Sequence, residues 1–206
     1  MKSKKKFIIF DLDGVICDSK SNMEFAWSET AKKFNLNIKF NEYFRNIGMP
    51  FFKILEKLEI KPEKKIYDFF KKSSIKKINL IKPFKNVQYI FDFLKKKKIR
   101  YSIVTSKDLY RTKLLLKKFK IQPSSIHCPN KKLRGKPYPD HLLNCMKKNN
   151  VKPNDTCFVG DTMIDYLAAK KANILFIFAK YGYGKNKKLY KNTVSNSKQI
   201  IKFINF

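Results

Sequence analysis

Two carboxylates two residues apart, Asp11 and Asp13, follow directly on the apolar run Phe7-Ile8-Ile9-Phe10, and Gly14 closes the segment. A short apolar run bounded by glycine reads as a buried strand. In an open α/β sheet the carboxyl ends of the strands form the ligand crevice, so both acids stand where chemistry is done. An Asp-Gly pair can also simply begin a turn, so three further segments carry the weight. The run Arg100-Tyr101-Ser102-Ile103-Val104 empties into Thr105-Ser106-Lys107, which places small hydroxyls at a strand end. Thr156-Cys157-Phe158-Val159 empties into Gly160-Asp161, with Asp165 four residues on. Between them lies Gly135-Lys136-Pro137-Tyr138-Pro139-Asp140, a lysine in a stiff proline-flanked loop ahead of a helix.

Acid pair, hydroxyl, lysine and second acid pair in this order resemble the haloacid dehalogenase-like superfamily, in particular its capped phosphatases similar to phosphoglycolate phosphatase and β-phosphoglucomutase. Asp11-Leu12-Asp13-Gly14-Val15 with Asp18-Ser19 matches the first motif, Thr105 the second, Lys136 the third, and Gly160-Asp161 with Asp165 the fourth. The resemblance covers nearly the whole chain. It implies a Mg²⁺-dependent phosphatase. Mg²⁺ takes oxygen ligands, often from one or two carboxylates, and the implied set is Asp11, Asp161 and the backbone carbonyl of Asp13. Asp165, one helical turn beyond Asp161 on the same face, is expected to orient the metal's surroundings.

In this family the first aspartate attacks phosphorus and forms an aspartyl-phosphate, a role that falls on Asp11. The second is general acid and base, a role that falls on Asp13; the dehalogenating members lack an acid there. Thr105 can hydrogen-bond a phosphoryl oxygen, and Lys136 can neutralise charge on the transferring group while keeping Asp11 ionised. Ser106 joins Thr105 and Lys136 as a substrate-binding candidate. Arg45, in a glycine- and proline-bearing loop, is the candidate for gripping a substrate phosphate or carboxylate bidentately. Tyr181-Gly182-Tyr183-Gly184 resembles the glycine-rich loop that shapes the crevice rim in relatives. One departure is the basic stretch Pro129-Asn130-Lys131-Lys132-Leu133-Arg134, where relatives commonly carry an acid before the third motif.

The elements that would position these residues follow from periodicity. The expected fold is α/β, a three-layer Rossmann-like parallel sheet core (1–15 and 86–206) with a small helical cap (16–85) inserted after the first catalytic loop. Ser21-x-x-Glu24 reads as a capping box, and Met23, Trp27, Ala31 and Phe34 recur at helical spacing. Phe51, Ile54, Leu55 and Leu58 repeat the pattern, as do Ile66, Phe69 and Phe70; no strand-like run is evident between Gly14 and Tyr101. Val87, Ile90, Phe91 and Leu94 predict a helix returning to the core. Then come strand 100–105, a helix led by Asp108 with Leu109, Leu115, Leu116 and Phe119 inward, and strand 125–128. A helix with Leu142, Leu143 and Met146 inward follows, then strand 156–159, helix 163–172, strand 174–178 and a closing helix near 195–203. Strand and helix in alternation imply a parallel sheet covered on both faces.

The formal net charge is +31. A concentrated basic face would suit nucleic acid, but lysines run through the whole chain, mixed with Ile, Asn and Phe, as a compositional bias would place them. The field still favours capture of anionic substrates. Cys17, Cys128, Cys145 and Cys157 form no Cys-x-x-Cys pair, and the two histidines stand at no zinc spacing. No segment has the length of a membrane span or the form of a signal peptide. The expectation is a cytoplasmic enzyme, monomer or homodimer, acting on a small phosphorylated metabolite such as phosphoglycolate, a sugar phosphate or a nucleotide. The competing readings are a sugar phosphomutase of the same superfamily and a basic nucleic-acid-binding protein with little catalysis.

Overall fold

The computed structural model describes residues 6–184 and 190–204; the expected core segments also include 1–5, 185–189 and 205–206, which lie outside the described residues. The sheet is built on β1 (Phe7–Phe10), whose four side chains are all buried. Ile8 and Phe10 enter one apolar cluster, Phe7 and Ile9 the other. A strand shows an unbroken apolar run when both faces of the sheet are covered, and full burial of each such side chain contributes about 1.5–3 kcal/mol.

β1 lies between β4 (Tyr101–Val104) and β6 (Thr156–Gly160); β5 (Ser125–His127) flanks β4, and β7 (Leu175–Ala179) and then β8 (Thr193–Val194) extend the other side. All neighbours in this sheet pair in parallel. The order β5-β4-β1-β6-β7-β8 reverses direction at β1, so the crevice of the topological switch opens at its carboxyl end. On one face lie α5 (Val87–Lys96), α6 (Leu109–Lys118) and a 3-10 helix, Ser197–Phe203. The other face is covered by α7 (Asp140–Asn149) and α8 (Met163–Lys171).

Between the first strand and the rest of the sheet stand α1 (Lys20–Lys33), α2 (Phe40–Phe44), α3 (Phe51–Lys57) and α4 (Lys64–Lys76). They share their own apolar cluster around Met23, Trp27, Tyr43, Phe51, Ile54 and Phe70. Trp27 stacks on Tyr43 with centroids 4.4 Å apart. The chain leaves and rejoins the sheet side by side, through the antiparallel pair β2 (Cys17–Asp18) and β3 (Lys82–Pro83).

Several expectations are corrected. The interval from Gly14 to Tyr101 does hold strands, but β2 and β3 are two residues each, too short for periodicity to register. No Ser21 capping box forms: α1 starts after Ser19, whose hydroxyl is bonded to Asp13 and not to the helix. Leu109 and Leu143 are exposed, at 45% and 46%. Leu109 occupies the first turn of α6, where a side chain leans back past the helix end and off the sheet. On α7 the buried stripe is His141, Leu142, Cys145, Met146 and Asn149, which leaves Leu143 on the outer face. The closing helix is 3-10 and begins at Ser197.

Asn22 ties the insertion together. Its side chain is fully buried, donates to the carbonyls of Ser74 (2.9 Å) and Lys77 (2.8 Å), and accepts from Ser74 Oγ (2.7 Å). Asn22→Ala leaves these buried groups unsatisfied, and the expected loss is about 2–3 kcal/mol, read from the urea midpoint of unfolding.

Candidate active site

Asp11 extends the ladder one residue past β1, its N–H donating to the Val159 carbonyl (2.9 Å). The chain then turns sharply, with the N–H groups of Ile16 and Cys17 both donating to the Leu12 carbonyl. Gly14 makes that turn at φ +84°, and a Cβ there would collide with the Asp161 carboxylate. Gly182 approaches Asp161 as closely from the opposite loop. Asp161 itself follows directly on β6, and its Oδ2 accepts from the Tyr183 N–H (2.6 Å).

Asp165 reaches the same point by a different route from the one expected. Asp161 precedes α8, so the two acids do not share a helix face. Thr162 caps α8, and Asp165, its third residue, folds back in a capping box: Oδ2 accepts from Thr162 N (3.0 Å) and Thr162 Oγ1 (2.5 Å). Its Oδ1 accepts from Lys136 Nζ (2.6 Å). Lys136 Nζ also lies 3.0 Å from Asp11 Oδ1, close enough for charge pairing though not aligned for a hydrogen bond.

Asp11, Asp161 and Asp165 thus bring carboxylate oxygens within 4.8 Å of one another, all buried. One ammonium does not balance three carboxylates. Burial pushes the Asp11 carboxyl from its ordinary value of 3.8 up to about 7, aided by the neighbouring Asp165 and Asp13 charges and opposed by Lys136. Asp161 is raised by burial first and then by Asp165 and Asp11. Lys136 is held protonated by the two acids in spite of its burial. Asp11 Oδ1 and Asp161 Oδ1 are both buried without a hydrogen-bond partner. Orphaned buried oxygens on a surplus of carboxylates fit a divalent cation with oxygen preference.

Asp13 stands on the cavity side of this cluster, half-buried. Its Oδ1 accepts from Ser19 Oγ (2.5 Å) and its Oδ2 lies 3.2 Å from Lys107 Nζ. Across from it, Thr105 extends β4, its N–H donating to the His127 carbonyl (3.0 Å) and its Oγ1 accepting from the Lys107 N–H (3.2 Å). The Ser106 hydroxyl donates to the Gly48 carbonyl of the helical insertion (2.6 Å). Asp11, Asp13, Thr105, Ser106, Lys107 and Arg111 all line one cavity, roofed by Met23, Tyr43, Phe51, Ile54 and Phe70 of the insertion.

Arg45 is exposed and is absent from this lining, so the residues brought together do not include it. The buried cations that the cavity does contain, Lys107 and Arg111, were not singled out from sequence. Lys107 adjoins Thr105-Ser106, which was the available signal; Arg111 offered only its rarity among lysines. Tyr183 also proves more connected than a rim residue. Its hydroxyl accepts from the Ser19 N–H (2.6 Å) and bonds Asp18 Oδ1 (2.9 Å), while its ring meets Phe44 of α2 at 5.1 Å.

Because the folded pKa of Asp11 lies above its unfolded value, the fold binds more protons than the unfolded chain between those limits. In chelator, the Asp11 contribution to stability is therefore fully present below about pH 4 and is lost as pH rises through about 7. Lys136→Met removes the only ammonium among the described residues in direct contact with Asp11 and Asp165; thermal or urea unfolding is expected to show a deficit of about 3–5 kcal/mol at pH 8 that shrinks toward pH 5. A deficit independent of pH contradicts the charge assignment.

The haloacid dehalogenase-like hydrolase family model matches residues 8–179. The chain is 26% identical over 170 residues to the pyrophosphatase PpaX of Oceanobacillus iheyensis, covering 81% of this chain and 79% of that protein. It is 26% identical over 209 residues to a phosphoglycolate phosphatase of Aquifex aeolicus, covering 97% and 96%. Among solved structures, a hydrolase from Pseudomonas syringae superposes with a TM-score of 0.86 at 20% identity, over 98% of this chain and 100% of that one. A haloacid dehalogenase-like family hydrolase from Streptococcus pneumoniae gives 0.83 at 18%, over 97% and 98%. With the family model spanning both acid pairs, the hydroxyl loop and the lysine between them, the chain belongs to the haloacid dehalogenase-like hydrolases.

Proposed function

We propose that this chain is a Mg²⁺-dependent phosphatase that hydrolyses a compact phosphate monoester through an aspartyl-phosphate on Asp11. The observation that carries the reading is the convergence of Asp11 with Asp161 and Asp165, from distant parts of the chain, in a buried cluster whose Asp11 lines a cavity together with Asp13 and Thr105. Relatives named phosphoglycolate phosphatase and pyrophosphatase support phosphoryl transfer to water, and nothing among them favours a mutase.

In this reading Asp11 and Asp161 hold the cation, with the Asp13 backbone carbonyl; Asp165 acts from behind by fixing Lys136 and the α8 cap. Bound Mg²⁺ supplies charge neutralisation for the phosphoryl oxygens. An Asp11 oxygen bonds to phosphorus as the bond to the ester oxygen breaks, and Asp13 gives that oxygen its proton. Asp13 then takes a proton from water, whose oxygen bonds to phosphorus as the bond to Asp11 breaks and inorganic phosphate leaves. Ser19 and Lys107 fix the orientation of the Asp13 carboxylate. Thr105 and Lys136 bind the transferring group, with Ser106 joining the insertion to that loop.

The enclosed space is about 50 Å³, room for only a handful of water molecules. Residues 16–85 thus serve as a cap that opens about the β2–β3 pair to admit substrate and closes to exclude bulk water. No helix among the described residues is long and apolar enough to cross a membrane, and the four cysteines are free and buried, in keeping with a cytoplasmic setting.

Asp11→Asn is expected to lower Mg²⁺-dependent phosphate release from an aryl phosphate by roughly a thousandfold or more; unchanged turnover removes Asp11 as nucleophile. Mg²⁺ is expected to raise the melting temperature of the wild-type protein, and more at pH 8 than at pH 5, because protons compete for the same oxygens. Asp161→Asn should abolish that rise, measured by differential scanning fluorimetry.

A further inference from the structure

Lys136, outside the cavity lining, is engaged by Asp11 and Asp165; of the two buried cations that line the cavity, Lys107 is engaged by Asp13. Arg111 is bonded to none of these. It is 6% exposed and lines the cavity. Its Nε donates to Asp108 Oδ2 (2.5 Å), while its own N–H donates to Asp108 Oδ1 (3.0 Å), so the side chain is looped over the first turn of α6 with its plane set by one carboxylate. Its Cζ lies 5.4 Å from the Phe70 ring centre on the insertion. The guanidinium, held by Asp108 through Nε and also hydrogen-bonded to the Tyr67 side chain, has more N–H donors than these partners use, which leaves donors for a further anionic oxygen.

The rest of the wall narrows the choice of ligand. Met23, Ile47, Met49, Phe51, Ile54 and Phe70 offer no side-chain hydrogen bonds; the hydroxyls of Ser106, Thr162 and Tyr183 are used on Gly48, Asp165 and Asp18, and Tyr43 adds one more hydroxyl to the wall. A sugar brought into this space would leave hydroxyls unsatisfied, at a cost that disfavours it. A small ester with one anionic tail would not.

We propose that Arg111 is the specificity-determining residue of the site and receives a second anionic group, carboxylate or phosphate, carried by a compact phosphate ester or anhydride. This rests on the phosphatase reading above. It assigns the substrate class by a group distant in role from the reacting oxygens, since Arg111 neither holds the cation nor moves a proton.

The test compares kcat/KM with Mg²⁺ for phosphoglycolate, for pyrophosphate and for 2-hydroxyethyl phosphate, the counterpart of the first whose tail is uncharged (the neutral-tail substrate). Wild-type protein is expected to favour one of the first two over the neutral-tail substrate by roughly tenfold or more. Arg111→Met should collapse that ratio, mainly through KM, and Arg111→Lys should restore part of it. The ratio is taken within one preparation, so a smaller folded fraction cancels; if Arg111→Met is inert on every substrate, the ratio in Arg111→Lys decides. Collapse confined to phosphoglycolate assigns a carboxylate, and collapse confined to pyrophosphate a phosphate. No preference in the wild type, or an equal loss on charged-tail and neutral-tail substrates in the variants, overturns the inference. Wild-type protein that releases phosphate from none of the three, nor from an aryl phosphate, instead overturns the phosphatase reading itself.

Discussion

The structure depends on holding three carboxylates close together where water cannot screen them. Burial alone disfavours each ionised form, and mutual repulsion adds to the cost. Lys136 offsets part of it by touching two of the acids. The capping box of α8 offsets another part by giving Asp165 two hydrogen bonds that also start the helix. Asp161 Oδ1 has no hydrogen-bond partner, and Asp11 Oδ1 has only the charge of Lys136 beside it. Their placement leaves an electrostatic imbalance of the kind that the proposed divalent cation would offset.

Much of the architecture can be understood as the means of keeping those acids in place. β1 is the centre of the sheet, flanked on both sides, and so it is the element least able to move. The close approach of Gly14 and Gly182 leaves Asp161 little freedom. Tyr183 adds a backbone donor to Asp161 and a side-chain link to Ser19, which in turn holds Asp13. Asp161 and Asp13 are therefore joined through one loop that also touches α2 of the insertion. This gives the helical insertion a physical route to both acids, beyond forming a roof over the cavity.

Legibility in the sequence varied with the range of the interaction involved. The helices α1, α3, α4 and α5 and the strands β1, β4, β6 and β7 were readable because burial imposes a period on consecutive residues. Exposed Leu109 and Leu143 show where that signal fails: an apolar residue near a helix end or beside a stripe satisfies the pattern without facing the core. The short strands β2, β3 and β8 contain too few residues to carry a pattern. Ser21 and Glu24 had the right spacing for a cap, yet the helix began two residues earlier, after Ser19, whose hydroxyl is bonded to Asp13 across the turn and caps nothing.

Local composition and order along the chain determined the fold class, the family and the acids at the strand ends, since each depends on residues adjacent in sequence or on a backbone period. Which cations enter the cavity was decided only in three dimensions. Arg45 and Arg111 are equally plausible as letters, but α6 delivers Arg111 beneath Phe70 whereas the loop after α2 turns Arg45 to solvent. The partnership of Asp165 with Lys136, and that of Tyr183 with Ser19, joins segments 29 and 164 residues apart. Such pairings follow from packing, in which one buried charge finds whichever opposite charge or donor the layers bring beside it, and no spacing along the chain encodes that choice.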